Sequence, residues 1–208
     1  MNALRKLSAG ERNRIEAAVA AAETRTSAEF AVVVARASDD YALYPLLWAG
    51  LLALLTGGGL AIGQPMASVS MGFAIQAGVF ITASLLLHLR ILRPRLASAS
   101  VRREYASRLA QLQFAGLVNE KTRGDAGLLL FVSLAERHVE ILIDNGIAER
   151  VPQAAFQKII DAFIDDVHKG RIADGFTGAI ESCALLLQQH FPAHPDEPDE
   201  IANRVTEI

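Results

Sequence analysis

The stretch YPLLWAGLLALLTGGGLAIG, residues 44–63, does not suit an ordinary water-soluble domain. It carries no charge, and no Asp, Glu, Lys, Arg or His occurs anywhere from residue 41 to residue 87. A bilayer core about 30 Å thick is crossed by roughly 20 apolar residues of helix. The uncharged block is long enough for two crossings. We place the first helix at 43–63 and the second at 68–92, with Gly63-Gln64-Pro65-Met66 as the turn between them. A small domain has little room to bury two helices that are apolar on every face. Residues 41–92 therefore read as a transmembrane helical hairpin.

The flanks of the block set its orientation. HLRILRPRLASASVRREYASR, residues 88–108, holds six arginines and one acid, and the turn between the helices holds no charge. Arg25 and Arg36 precede the first helix. The positive-inside rule then puts both flanks, and with them both termini, in the cytoplasm. The same arginines suit anionic headgroups, although orienting the hairpin is the commoner role. Gly59 and Gly63 form a G-x-x-x-G pair, and Ala74 and Gly78 a second pair of small residues. Such pairs let helices approach closely. They serve packing within the hairpin or a homo-oligomer formed through it.

Outside the block the composition is that of a soluble domain, with 20 basic and 23 acidic residues and a net charge of −3. That balance argues against a nucleic-acid partner. One cysteine, Cys183, excludes an intrachain disulfide and fits a reducing compartment. The first 40 residues carry six basic and six acidic side chains and no apolar core segment, so they do not read as a signal peptide.

The charged pieces read as one interrupted domain. Residues 1–40 form its first part and residues 93–192 the remainder, with an acidic tail at 193–208 whose PDEPDE stretch is expected to be mobile. Ser8-Ala9-Gly10-Glu11 is a capping box, and Ile15, Val19 and Ala22 mark one face of the helix that follows. Residues 30–35 are apolar throughout and read as a strand covered on both faces. After the hairpin, Val101, Tyr105, Leu109 and Leu112 recur at helical spacing, and Gly116 suits the end of that helix. Residues 127–134 read as a second apolar strand, followed by a turn and an alternating strand at 138–143. Pro152 suits the first position of a helix with Phe156, Ile159, Ile160, Phe163 and Val167 inward and Gly170 at its end. A last helix spans 174–189, with Phe176, Ile180, Cys183 and Leu187 on one face. The order strand, helix, strand favours a parallel pair joined by a right-handed crossover. The expected fold is α/β, an α/β/α sandwich with a mixed sheet, interrupted by the membrane hairpin.

These residues carry a family resemblance. TSAEFAVVVA, then TRGDAGLLLFVSLAERHVEILIDNGI, then the helices of Phe156 and Phe176, resemble the TPM domain, a fold known from proteins of the thylakoid lumen. Asp125, Gly127, Arg137 and Gly146 mark the layout of the two strands. A membrane hairpin that splits the domain, and the close HFPAHPDEPDEIANRV, are similar to a bacterial membrane-protein branch of that family. The resemblance implies a place in the bacterial inner membrane. Relatives are associated with photosystem repair, weak acid phosphatase activity and calcium binding, and others with the assembly of membrane complexes. The thylakoid proteins differ from this chain in having a signal and no inserted hairpin.

If the two apolar strands run parallel, Glu29 and Asp125 fall at one end of the sheet, and the returning strand brings Asp144 there. Three carboxylates at one place suit a hard cation, Ca2+ or Mg2+, and such a cation can activate water for phosphoryl hydrolysis. A plainer reading gives each residue a structural task. Arg123-Gly124-Asp125 and Asp144-Asn145-Gly146 are turn sequences, and Glu29 has Arg25 or Arg123 as a partner. Asp165, Asp166 and His168 read as a solvated helix face, and His88, His138, His190 and His194 as non-catalytic. No residue is assigned a catalytic role. The expected function is a membrane-tethered cytoplasmic interaction module for a membrane or cytoplasmic protein, auxiliary to a membrane complex. The alternative is a metal-dependent phosphomonoester hydrolase of low activity.

Overall fold

EFAVVVA, Glu29–Ala35, forms β1, and GLLLFVS, Gly127–Ser133, forms β2. They lie side by side and parallel, in register from Glu29 opposite Gly127 to Ala35 opposite Ser133. Every residue of β2 is buried, and in β1 all but Glu29. Strands so apolar on both faces are stable only if both faces are covered. The computed structural model describes residues 7–63, 68–89, 92–119, 126–193 and 204–208, and within these both covers are present.

The chain divides into two compact units. The first comprises Met1–Ser38 and Tyr105–Ile208, the second Asp39–Glu104. In the first unit one face of the sheet, with Phe30, Val32, Val34, Leu128 and Leu130, packs into a core supplied by three helices. These are α1 (Ala9–Glu23), α7 (Gln153–His168) and α8 (Ile172–Leu187). Phe163 and Phe176 meet edge to face, ring centroids 5.0 Å apart. A Cβ on Gly175 would lie 3.3 Å from the Phe163 ring, so a glycine here lets α7 and α8 close. The opposite face, with Ala31, Val33, Leu129 and Phe131, packs on Ala106, Ala110 and Val118. Ala106 and Ala110 belong to α5 (Ala99–Phe114), and Val118 to the π-helical turn Ala115–Asn119 that follows. The first unit is thus an α/β/α sandwich.

β3 (His138–Ile143) pairs antiparallel with β2 after a turn in which Arg137 adopts a left-handed φ of 54°. A fourth strand, β4 (Val205–Glu207), pairs parallel with the other edge of β1, giving the mixed sheet order β3-β2-β1-β4. β4 adds a strand within the segment read as an acidic tail, 193–208. Tertiary contacts create it: the Val205 N–H donates to Glu16 at 3.2 Å, and Arg12 pairs with Glu207. Residues 194–203, with the acidic PDEPDE, lie outside the described residues.

Local rules account for several boundaries. At Ser8 the capping box closes in both directions, the Glu11 N–H donating to Ser8 Oγ at 3.2 Å and the Ser8 N–H to Glu11 Oε2 at 2.8 Å. Pro152 is the N-cap of α7 rather than its first residue. Gly170, with φ 80°, follows the C-cap Lys169, where a left-handed residue ends the helix. Leu112 is 69% exposed despite its helical spacing, because α5 approaches the sheet through its alanines.

The second unit holds two helices long and apolar enough to cross a membrane, α2 (Leu43–Gly63) and α3 (Val69–Leu87). α3 starts at the N-cap Ser68, whose Oγ accepts from the Met71 N–H at 3.3 Å, and ends at the C-cap His88. It is shorter than the expected 68–92. The chain bends after His88 and starts a separate short helix, α4 (Arg93–Leu96), with Pro94 inside its first turn, where proline is tolerated. The expected turn at Gln64, Pro65 and Met66 lies outside the described residues.

Truncating Phe176 removes one wall of the α7–α8 contact. Phe176→Ala is expected to destabilise the first unit by about 3–5 kcal/mol, measured by urea unfolding followed by circular dichroism in mild detergent.

Candidate functional site

The parallel pairing brings two of the sequence-derived ligands to one end of the sheet. Glu29 opens β1 opposite Gly127, and its N–H donates to Ala126 O at 2.9 Å. Asp144 follows β3 and is bound to the same Gly127 twice. Its N–H donates to Gly127 O at 3.0 Å, and its Oδ2 accepts from the Gly127 N–H at 2.5 Å. Asp125 lies outside the described residues.

Asp144 also starts a helix. Its Oδ1 accepts from the Ile147 N–H at 3.0 Å, which makes Asp144 the N-cap of α6 (Asn145–Arg150). The sequence Asp144-Asn145-Gly146 therefore opens a short helix rather than a simple turn. Both oxygens of the half-buried carboxylate accept a backbone N–H, one ending the sheet and one starting α6. This structural task explains an acid here without a metal. A hard cation takes six or more oxygens, several of which can be water. Among the described residues no group of three His, Cys, Asp or Glu side chains could hold one. Arg25, considered as a partner for Glu29, lies 3.7 Å from Glu181 on α8. Glu23, not singled out from sequence, reaches the same strand end and accepts the Phe30 N–H at 3.2 Å.

The opposite end of β1 and β2 carries a second polar group that sequence reading missed. Ser133, the last residue of β2, is fully buried, and Glu136 is only 8% exposed. The Ser133 hydroxyl donates to Glu136 Oε2. Ser38 Oγ donates to Ser133 Oγ at 2.9 Å, and the Ser38 N–H to Glu136 Oε1 at 3.1 Å. These bonds clasp the chain leaving β1 to the turn between β2 and β3. With no exposure, Ser133 cannot meet a substrate, so the clasp is structural. Its faint signal in sequence is a serine closing an apolar strand with a glutamate three residues on.

The remaining candidates have ordinary roles. Lys169 hydrogen-bonds Asp165 and holds its carboxyl below the usual range, while Arg171 pairs with Asp166, both at the exposed end of α7. His138 Nε2 lies 2.9 Å from Glu140, which also accepts from Ser107 Oγ at 3.2 Å. His194 is outside the described residues. Cys183 faces the core, where burial pushes its thiol up from 9.0 to about 12.

Asp144→Ala leaves two backbone N–H groups without their acceptor and should cost about 1–3 kcal/mol in urea unfolding. Asp144→Asn keeps a good N-cap and should cost less. Millimolar CaCl2 or MgCl2 tests the metal reading directly: a clear rise in the melting temperature of the unsubstituted chain supports a cation at this end, and no change counts against it. For Cys183 the folded pKa exceeds the unfolded one, so the native state holds the proton more tightly. Its contribution to stability is intact below about pH 9 and is lost as pH rises toward about 12. Iodoacetamide at pH 8 should therefore label Cys183 slowly in the native chain and rapidly in urea, read by mass spectrometry.

Comparisons with known proteins agree with this fold. Residues 91–185 match the family model described as the TPM domain. The match starts after α3 and ends inside α8, so α1 and β1, which complete the same unit, precede it. No curated protein matches the chain. The NMR structure of BA42 protein from the psychrophilic bacterium Bizionia argentinensis is similar, with a TM-score of 0.61 and 18% identity. The likeness covers 98% of this chain and 97% of that one, and at this identity it speaks for the fold alone. Residues 91–185 thus match a TPM domain and lie, for the most part, within the α/β/α unit described above.

Proposed function

We propose that this chain is a membrane-tethered interaction module. The hairpin anchors it in a bacterial inner membrane, and the TPM-family domain works on the cytoplasmic side, docking a membrane or cytoplasmic protein and aiding assembly or maintenance of a complex. The observation that carries the tether is the exposure of α2 and α3. Their apolar spans are 11% and 0% buried. A core helix of a soluble protein would be mostly buried, and a secretory signal would lie nearer the start of the chain. Leu54, Leu55, Ile62, Phe73 and Leu85 are each more than 60% exposed. At about 25 cal/mol per Å2 of apolar surface, water is a poor solvent for such helices and lipid a good one. The arginines at 88–108, against none between the helices, support cytoplasmic flanks. Placing both soluble segments on one side lets them complete a single sheet.

Membrane fractions washed with alkaline carbonate should retain the chain. Alkaline phosphatase inserted at Gln64–Met66 should be active and a fluorescent protein inserted there dark. Release by carbonate would remove the tether, and the reverse reporter pattern would overturn the orientation. Affinity purification in mild detergent should recover a stoichiometric partner, and its failure across several growth conditions would count against the docking role.

A further inference from the structure

The short helix after the hairpin is folded back against the hairpin's first helix. Past His88 the Leu92 N–H donates to Leu89 O at 2.9 Å and the Arg93 Nε–H to His88 O at 2.9 Å. The chain then forms α4, and the Trp48 indole N–H donates to Leu96 O at 3.2 Å. Trp48 is the sixth residue of α2, about 7–8 Å along its axis at 1.5 Å per residue. Tyr44 stands one turn earlier on the same face. Tryptophan and tyrosine at the end of a membrane helix mark the headgroup boundary. The tryptophan contact therefore sets α4 at that depth and does not leave it free in water.

Four arginines accompany it. Arg95 and Arg103 are exposed and Arg93 and Arg102 half-buried. None of them forms an ion pair with a described carboxylate. An ion-paired arginine would merely solvate a surface. Guanidiniums that pair with no described carboxylate suit, at headgroup depth, the phosphates of lipids, whose oxygens can accept their fork of N–H donors.

We infer that Arg93 and Arg95 on α4, with Arg102 and Arg103 at the start of α5, form a binding surface for anionic phospholipid headgroups, with α4 seated in the cytoplasmic headgroup layer. This inference rests on the membrane reading above, and the two fail differently. The surface selects lipids with a net negative phosphate group, such as phosphatidylglycerol, over zwitterionic ones. Positive-inside orientation alone requires no such selectivity.

Trp48 is the chain's single tryptophan and reports on this place directly. The full chain would be reconstituted in phosphatidylcholine vesicles containing a minor fraction of lipid brominated near the headgroup end of its acyl chains. Brominated phosphatidylglycerol should quench Trp48 several-fold more effectively than the same fraction of brominated phosphatidylcholine. At about 1 kcal/mol per arginine near the surface, Arg93→Gln with Arg95→Gln should lower the relative affinity roughly 10- to 30-fold. Arg93→Lys with Arg95→Lys should keep most of it, which separates lost charge from lost folding. Equal quenching by the two lipids in the unsubstituted chain would overturn the headgroup surface and leave the tether standing. No quenching by either would remove the tether itself. Loss of the preference on adding inorganic phosphate would also overturn the inference, by showing a site for the free ion.

Discussion

The structure of the first unit depends on one pairing, that of β1 with β2. Seven residues of each run parallel in unbroken register, and nearly all are buried on both faces. Parallel neighbours cannot be joined by a tight turn; the chain must leave the sheet and return at the starting end. The pair also cannot stand with one face in water, because Phe30, Val32 and Val34 point one way and Ala31, Val33 and Ala35 the other. The two helical layers follow from that. One is thick, built on α1, α7 and α8 with phenylalanines. The other is thin and rests on α5 through Ala106 and Ala110, both fully buried.

The same pairing explains where the polar groups sit. A buried strand ends in backbone groups that need partners as they approach water. At one end Asp144 accepts the Gly127 N–H, and Glu23 accepts that of Phe30. At the other, Glu136 binds Ser133 and the backbone of Ser38. A carboxylate at the end of an apolar strand looks catalytic in a sequence, since carboxylates are expensive to bury. Here the described bonds give Asp144 and Glu136 a role in closing the sheet.

The sequence was most legible where a pattern is local. Runs of β-branched and aliphatic residues marked β1 and β2, alternation marked β3, and the loss of every charge marked α2 and α3. Legibility failed where the deciding partner is distant. β4 is three residues whose strand state depends on β1, Glu16 and Arg12. α6 was hidden because an N-cap and a turn favour the same residues, and Asp144-Asn145-Gly146 satisfies both rules. In α5 Leu109 packs on the sheet as its spacing suggests and Leu112 does not, while the close contact is made by alanines, which carry little weight in a hydrophobic pattern. Of the proposed ligands, the convergence of Glu29 and Asp144 at one sheet end was deducible from strand direction. The hydrogen bond from the Ile147 N–H to Asp144 depends on α6 and was not.

A domain that tolerates an insertion of this size must secure the chain on both sides of the break. The securing groups here belong to the first unit itself. On the exit side Ser38 is bonded to Ser133 and Glu136 immediately before the boundary at Asp39. On the return side Ala106 packs against the sheet just after the boundary at Glu104. The sheet's register therefore does not require the intervening residues to hold a particular shape. This accounts for two chemistries in one chain. The first unit follows the rules of burial from water, while α2 and α3 are long and apolar enough to cross a membrane and expose most of their apolar side chains. The interrupted order of elements is thus compatible with an uninterrupted sheet, and the clasp at Ser38 is the feature that reconciles them.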